Sequence, residues 1–71
     1  MAMKVYINHK PICIFAGARI LDAIRAYSAV SLKQVQNESL VILDRFGNLT
    51  EPDGPLQDGQ RLYLKRNKQL P

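Results

Sequence analysis

Met3-Lys4-Val5-Tyr6-Ile7-Asn8-His9-Lys10-Pro11-Ile12-Cys13-Ile14-Phe15 is the stretch from which the fold is read. Met3 to Asn8 alternates apolar and other residues at period two, the pattern of a strand with one buried face. Val5 and Ile7 share that face, and Lys4, Tyr6 and Asn8 share the other. Asn8-His9-Lys10-Pro11 then reads as a tight turn, because Asn and His tolerate the positive φ that a two-residue hairpin turn requires. Ile12 to Phe15 returns as a second strand with Ile12 and Ile14 on the side of Val5 and Ile7, so Cys13 points the opposite way. Pro11 suits the first position of that strand, where a missing N–H costs least. The result is a hairpin with one apolar face that needs a cover.

The cover follows at once. After the loop Ala16-Gly17-Ala18-Arg19, Ile20, Leu21, Ile24 and Tyr27 form one stripe of a helix, with Asp22 and Arg25 opposite. Ala23 and Ala26 add helix propensity. Val30 is read as the end of this segment, and Ser31 as the cap of a short second turn through Lys33 and Gln36. Leu40-Val41-Ile42-Leu43 is apolar throughout, as in a strand with at least partial cover on both faces. Asp44 to Asn48 is a turn, Leu49-Thr50 a very short strand, and Pro52 to Pro55 and Leu56 to Gln60 are further turns. In the last strand, Arg61 to Lys65, Leu62 and Leu64 face inward while Arg61, Tyr63 and Lys65 face outward. The order predicts an α+β protein, a mixed sheet of four to five strands packed on one main helix. The domain is expected over residues 1–66, with 67–71 a flexible C-terminal tail.

Composition narrows the class. Seventy-one residues make one domain. With 46% hydrophobic and 23% charged residues the chain lies in the globular range, not the disordered one. One cysteine excludes a disulfide framework and any site built on four thiolates. There is no apolar run of membrane-spanning length and no charged-then-apolar leader, so a cytoplasmic chain without a membrane span is expected. A chain this short buries only about 60% of its unfolded surface and has little room for a catalytic pocket. Its net charge of +4 is uneven. Lys4, Lys10, Arg19, Arg25 and Lys33 face Asp22 alone in the first half. Glu38, Asp44, Glu51, Asp53 and Asp58 then outweigh Arg45, before Arg61, Lys65, Arg66 and Lys68 restore the basic sign. Such a chain has two electrical poles, unlike an evenly basic nucleic-acid binder.

These residues resemble the ubiquitin-like β-grasp fold, especially the small bacterial sulfur carrier proteins of thiamine and molybdopterin biosynthesis. Val5-Tyr6-Ile7-Asn8-His9-Lys10 is similar to their opening hairpin, which commonly reads Val-Asn-Gly-Lys, and Ala18 to Ile24 to the start of their helix. Asp44 to Asn48 and Pro55 to Leu62 are similar to their late turns and the entry to their last strand. The resemblance spans residues 3–65 and implies the sheet order 2-1-5-3. The same pattern occurs in plant-type ferredoxin domains and in TGS domains, so it speaks to fold more than to function. Sulfur carriers end in Gly-Gly, since the terminal carboxylate must thread a narrow channel to be activated. Here the last glycine is Gly59 and the end reads Asn67-Lys68-Gln69-Leu70-Pro71, so a relative without the reactive terminus is expected. Ferredoxin domains hold their cluster with four cysteines, and Ser28 to Ser39 contains none, which excludes a cluster.

No cofactor, metal or catalytic residue is therefore expected. His9, the only histidine, is assigned to turn geometry in preference to a general base or ligand, both of which need partners. Cys13 is a small packing residue unless Lys4, Arg61 or Lys65 lowers its pKa. Asp44, Glu51, Asp53 and Asp58 are explained by turn chemistry and lack the spacing of a calcium loop. The outward sheet face is the candidate site. It gathers Lys4, Tyr6, Cys13, Arg61, Tyr63 and Lys65 with one register of Leu40 to Leu43. Tyrosine and arginine amid exposed apolar surface are typical of protein-binding sites, although tyrosine also favours strands for its β propensity. Single-stranded nucleic acid stacked on Tyr6 and Tyr63 is the weaker reading, since there is no tryptophan and no RNP-like run. The expected role is a non-catalytic protein-interaction module. The alternatives are a sulfur-carrier-related protein of cofactor biosynthesis and an N-terminal accessory domain of a larger enzyme.

Overall fold

The hairpin forms as its pattern dictates. In the computed structural model, which describes residues 2–67, β1 (Ala2–Ile7) pairs antiparallel with β2 (Lys10–Phe15) through a turn of Asn8 and His9. Their φ angles of 51° and 72° are the left-handed pair that a two-residue turn demands. β2 begins at Lys10, one residue before Pro11, and Pro11 stands opposite Tyr6 as its second residue. Val5, Ile7, Ile12 and Ile14 are buried together on the inner face.

Two helices share the cover. α1 (Ile20–Tyr27) packs on β1 and β2, and α2 (Ala29–Gln36) packs on β3 (Leu40–Asp44). The short second turn of the sequence reading is thus a helix of eight residues, as long as α1. Its cap is Ser28, not Ser31. Ser28 takes an extended backbone (φ −166°, ψ 125°), which stops α1, and its hydroxyl oxygen accepts the Ser31 N–H at 3.2 Å. Ala23 is fully buried beside Ile24, so it belongs to the core stripe as well as raising helix propensity.

β4 (Arg61–Arg66) lies between β1, to which it is parallel, and β3, to which it is antiparallel. The sheet is mixed and four-stranded, in the order β2-β1-β4-β3. Leu49-Thr50 is not a strand. Leu49 makes a single bridge to Leu43, and the Thr50 N–H donates to the Ile42 carbonyl at 2.9 Å. Asn67 is tied back to the sheet, its N–H donating to the Ser39 carbonyl at 2.9 Å. The rest of the expected tail lies outside the described residues.

The parallel seam is completed by side chains at both ends. In register it comprises only Tyr6–Arg61 and Ile7–Leu62. At one end Asn8 Oδ1 accepts the Leu64 N–H at 3.0 Å, and at the other Asp58 Oδ1 accepts the Lys4 N–H at 2.8 Å. Asn8→Gly keeps the turn's positive φ but removes the acceptor. It is expected to lower unfolding free energy by about 1 kcal/mol, while Asn8→Asp, which keeps Oδ1, retains most of it. Urea melts of the two variants check this, and equal stability of Asn8→Gly and wild type contradicts it.

α2 ends in a Schellman motif. The Ser39 N–H donates to the Gln34 carbonyl at 2.8 Å and the Glu38 N–H to the Val35 carbonyl at 3.1 Å. The left-handed position is held by Glu38 (φ 67°), where glycine is the usual resident. Glu38→Gly removes that strain at some cost in unfolded-state entropy, for a net gain of about 0.5 kcal/mol. Thermal unfolding of the variant should show a higher Tm.

Candidate functional site

Strand alternation turns Lys4 and Tyr6 of β1, Pro11, Cys13 and Phe15 of β2, Arg61, Tyr63 and Lys65 of β4, and Val41 and Leu43 of β3 to the sheet face away from the helices. Every residue proposed from sequence is there, but not as one cluster. Tyr6, Arg61 and Tyr63 form the centre. Tyr6 and Arg61 are paired across the parallel seam, and the Arg61 guanidinium carbon sits 4.5 Å above the Tyr6 ring. Tyr63 stands opposite Leu43 and receives the His9 ring edge-on, with centroids 5.2 Å apart and planes at 67°. Lys4 and Cys13 form a cross-strand pair at one end, while Lys65, opposite Val41, is at the other. Of the three cations named for the thiol, only Lys4 is its direct neighbour, and Cys13 itself is exposed.

The two central tyrosines are half-buried and the cations around them exposed. A cation held over a ring keeps its remaining donors free for a ligand, and the contact contributes about 0.5–1 kcal/mol at an exposed site. His9, read from sequence as turn geometry alone, therefore also belongs to the surface. No periodicity reveals this, because the contact depends on the parallel register of β1 and β4. Phe15, 60% exposed, was also absent from the sequence-derived site. Its parity with Cys13 carried the signal.

Arg61 leads from this face into a groove of about 370 Å³ lined also by Asp44, Phe46, Gln57 and Asp58. Phe46 is 73% exposed and carries the Arg45 guanidinium carbon 4.8 Å above its ring. Two acids, Asp44 and Asp58, and two arginines, Arg45 and Arg61, line the groove together, so the poles separated along the chain meet at this end. Asp58 departs from simple turn chemistry, because its carboxylate holds the amide of distant Lys4. Asp44 obeys it, accepting the N–H groups of Phe46 at 2.8 Å and Asn48 at 3.0 Å. Among the described residues, no three His, Cys, Asp or Glu side chains converge as metal ligands, and no helix is long and apolar enough to cross a membrane. Compared with known proteins, the chain matches no family model and no curated protein sequence.

The N–H of Asn48, helped by those of Phe46 and Gly47, holds the Asp44 carboxyl below its ordinary pKa of 3.8 against an opposing desolvation. A lowered folded value means that this carboxylate stabilises the fold fully above the unfolded pKa, and that the contribution disappears as pH falls through the folded value. Asp44→Ala should accordingly lie below wild type in Tm at neutral pH, with the gap narrowing on acidification below about pH 4. Paired thermal melts across that range are the measurement, and a gap independent of pH contradicts the assignment.

Proposed function

We propose that this chain is a ubiquitin-like β-grasp domain of sulfur-carrier type that works as a non-catalytic protein-interaction module, gripping its partner with the outer face of the sheet. The fold half of this reading is supported by the sheet order β2-β1-β4-β3 with a parallel central pair. That is the order implied by the family resemblance once the short strand at Leu49-Thr50 is left uncounted. The functional half is carried by one observation, the ring-and-cation centre of Tyr6, Arg61, Tyr63 and His9 on a face without a second layer among the described residues. Rings and guanidinium groups already in mutual contact lose less side-chain entropy when a partner docks. With Lys4 and Lys65 flanking the centre, the complementary partner is a protein surface with an apolar middle and an acidic rim.

Reversing two charges tests the face without touching the core. Arg61→Glu with Lys65→Glu is expected to reduce capture of the partner from nuclease-treated lysate of the native host at least about tenfold. The same protein should melt within a few degrees of wild type, since only a weak surface cation–π contact is lost. Undiminished capture sinks the proposal.

A further inference from the structure

β3 and β4 run antiparallel in a register that pairs Leu43 with Tyr63 and Asp44 with Leu62. One step further the same register sets Arg45 against Arg61, where the chain leaves β3 for its turn. Like charges opposite each other on a sheet repel. Neither is neutralised from within the chain, because among the described residues no carboxylate forms an ion pair with either guanidinium. Each leans on a ring instead, Arg61 over Tyr6 on the β1 side and Arg45 over its own neighbour Phe46. The two guanidinium groups thus part, and both line the groove between the turn after β3 and the entry to β4. The two acids of that groove are engaged elsewhere, since each serves the backbone. Asp44 accepts the N–H groups of Phe46 and Asn48, and Asp58 accepts that of Lys4. The charged groups that the groove offers to a ligand are therefore donors.

We propose that this groove binds the side-chain carboxylate of an acidic residue in the docked partner, gripped between Arg45 and Arg61. The inference rests on the docking role proposed above and gives the partner's acidic rim a definite seat. Arg61 belongs both to the ring-and-cation centre and to the groove, so a partner that covers the one reaches the other. A carboxylate brings acceptor oxygens and no donor, which is the geometry that guanidinium forks match. A cation is the poorer occupant, because two guanidinium groups stand beside acids already bound to amides. A phosphate group is poorer as well. It carries about two negative charges where a carboxylate carries one, and Asp44 and Asp58 repel both. Backbone amides that cradle phosphates elsewhere are also committed here. The N–H groups of Phe46, Gly47, Asn48, Gly59 and Gln60 all donate within the chain. Phe46, 73% exposed, adds an apolar wall, so the fitting ligand is an acidic residue next to an apolar one.

Titrating the whole isotope-labelled chain with the capped dipeptide acetyl-leucyl-glutamyl amide reads the site through the arginine Nε–H resonances. Those of Arg45 and Arg61 should shift together and saturate. Affinity should exceed that for the leucyl-glutaminyl control, equal in shape but uncharged, by about tenfold, as expected for hydrogen bonds to a charged group. Arg45→Gln should lower it by about the same factor. Arg25→Gln removes the same charge from an exposed position in the last turn of α1 and should leave it unchanged. Inorganic phosphate at matched ionic strength should bind more weakly than the glutamyl peptide. Spectra unmoved at tens of millimolar peptide overturn the proposal, as does equal affinity for the glutaminyl control. Tighter binding of phosphate overturns the carboxylate assignment. A loss in Arg25→Gln as large as that in Arg45→Gln reports net charge alone and overturns it equally. The titration needs no partner, so a groove that fails it leaves the docking face standing. A docking face that fails its capture test leaves the peptide affinity measurable.

Discussion

The parallel seam between β1 and β4 spans only two residue pairs in register, yet it joins two antiparallel strand pairs that would otherwise be separate two-stranded units. An isolated hairpin is marginal in water, and parallel pairing is the weaker of the two ladder types. The seam survives because the core runs along it. Val5 and Ile7 of β1, Leu62 of β4 and Ile24 of α1 are fully buried in one core cluster. Burial supplies the driving force but tolerates sliding. The side chains of Asn8 and Asp58 fix the register, each substituting for a strand neighbour beyond the paired residues. A slip of one residue exchanges the two faces of β4, moving Leu62 outward and Tyr63 into the core.

How much of this could be read from the chain follows from how local each cause is. The opening hairpin was legible because its period, its turn residues and its apolar face lie within about a dozen positions. The inward pair Leu62 and Leu64 was legible for the same reason. α2 was misread because Ser31, a plausible cap, sits inside it, while the true cap Ser28 follows the α1 stripe so closely that the break is hidden. Leu49-Thr50 looked like a strand because both residues do bind β3, but they form one isolated bridge, from Leu49 to Leu43, and two bonds from Thr50 to the single Ile42 carbonyl. The ties from Asn8 to Leu64 and from Asp58 to Lys4 cross most of the chain. Each polar residue had a sufficient local explanation in turn chemistry, so nothing in the sequence pointed to the distant partner.

The outer face shows the same division. Its membership follows from strand parity and was available from sequence, Phe15 included. Its internal arrangement was not, because Arg61 reaches the Tyr6 ring and His9 reaches Tyr63 only through the parallel register. That register also separates Lys4 from Lys65 and breaks the six sequence-derived residues into a centre and two ends. The residues that fix the seam therefore also order the face. Asn8 sets the height of β4 beside β1, and with it the ring contact between its neighbour His9 and Tyr63.

The sheet treats its two edges differently, and the difference is chemical. Along β3 the N–H of Asp44 donates to the Asn48 carbonyl and the Ile42 carbonyl accepts from Thr50, so a following segment occupies the outer groups of the strand. Along β2, among the described residues, backbone bonds to a following segment stop at the turn that ties Ala18 to Phe15, and Pro11 interrupts the edge. Proline at a strand edge is a common guard against unwanted pairing.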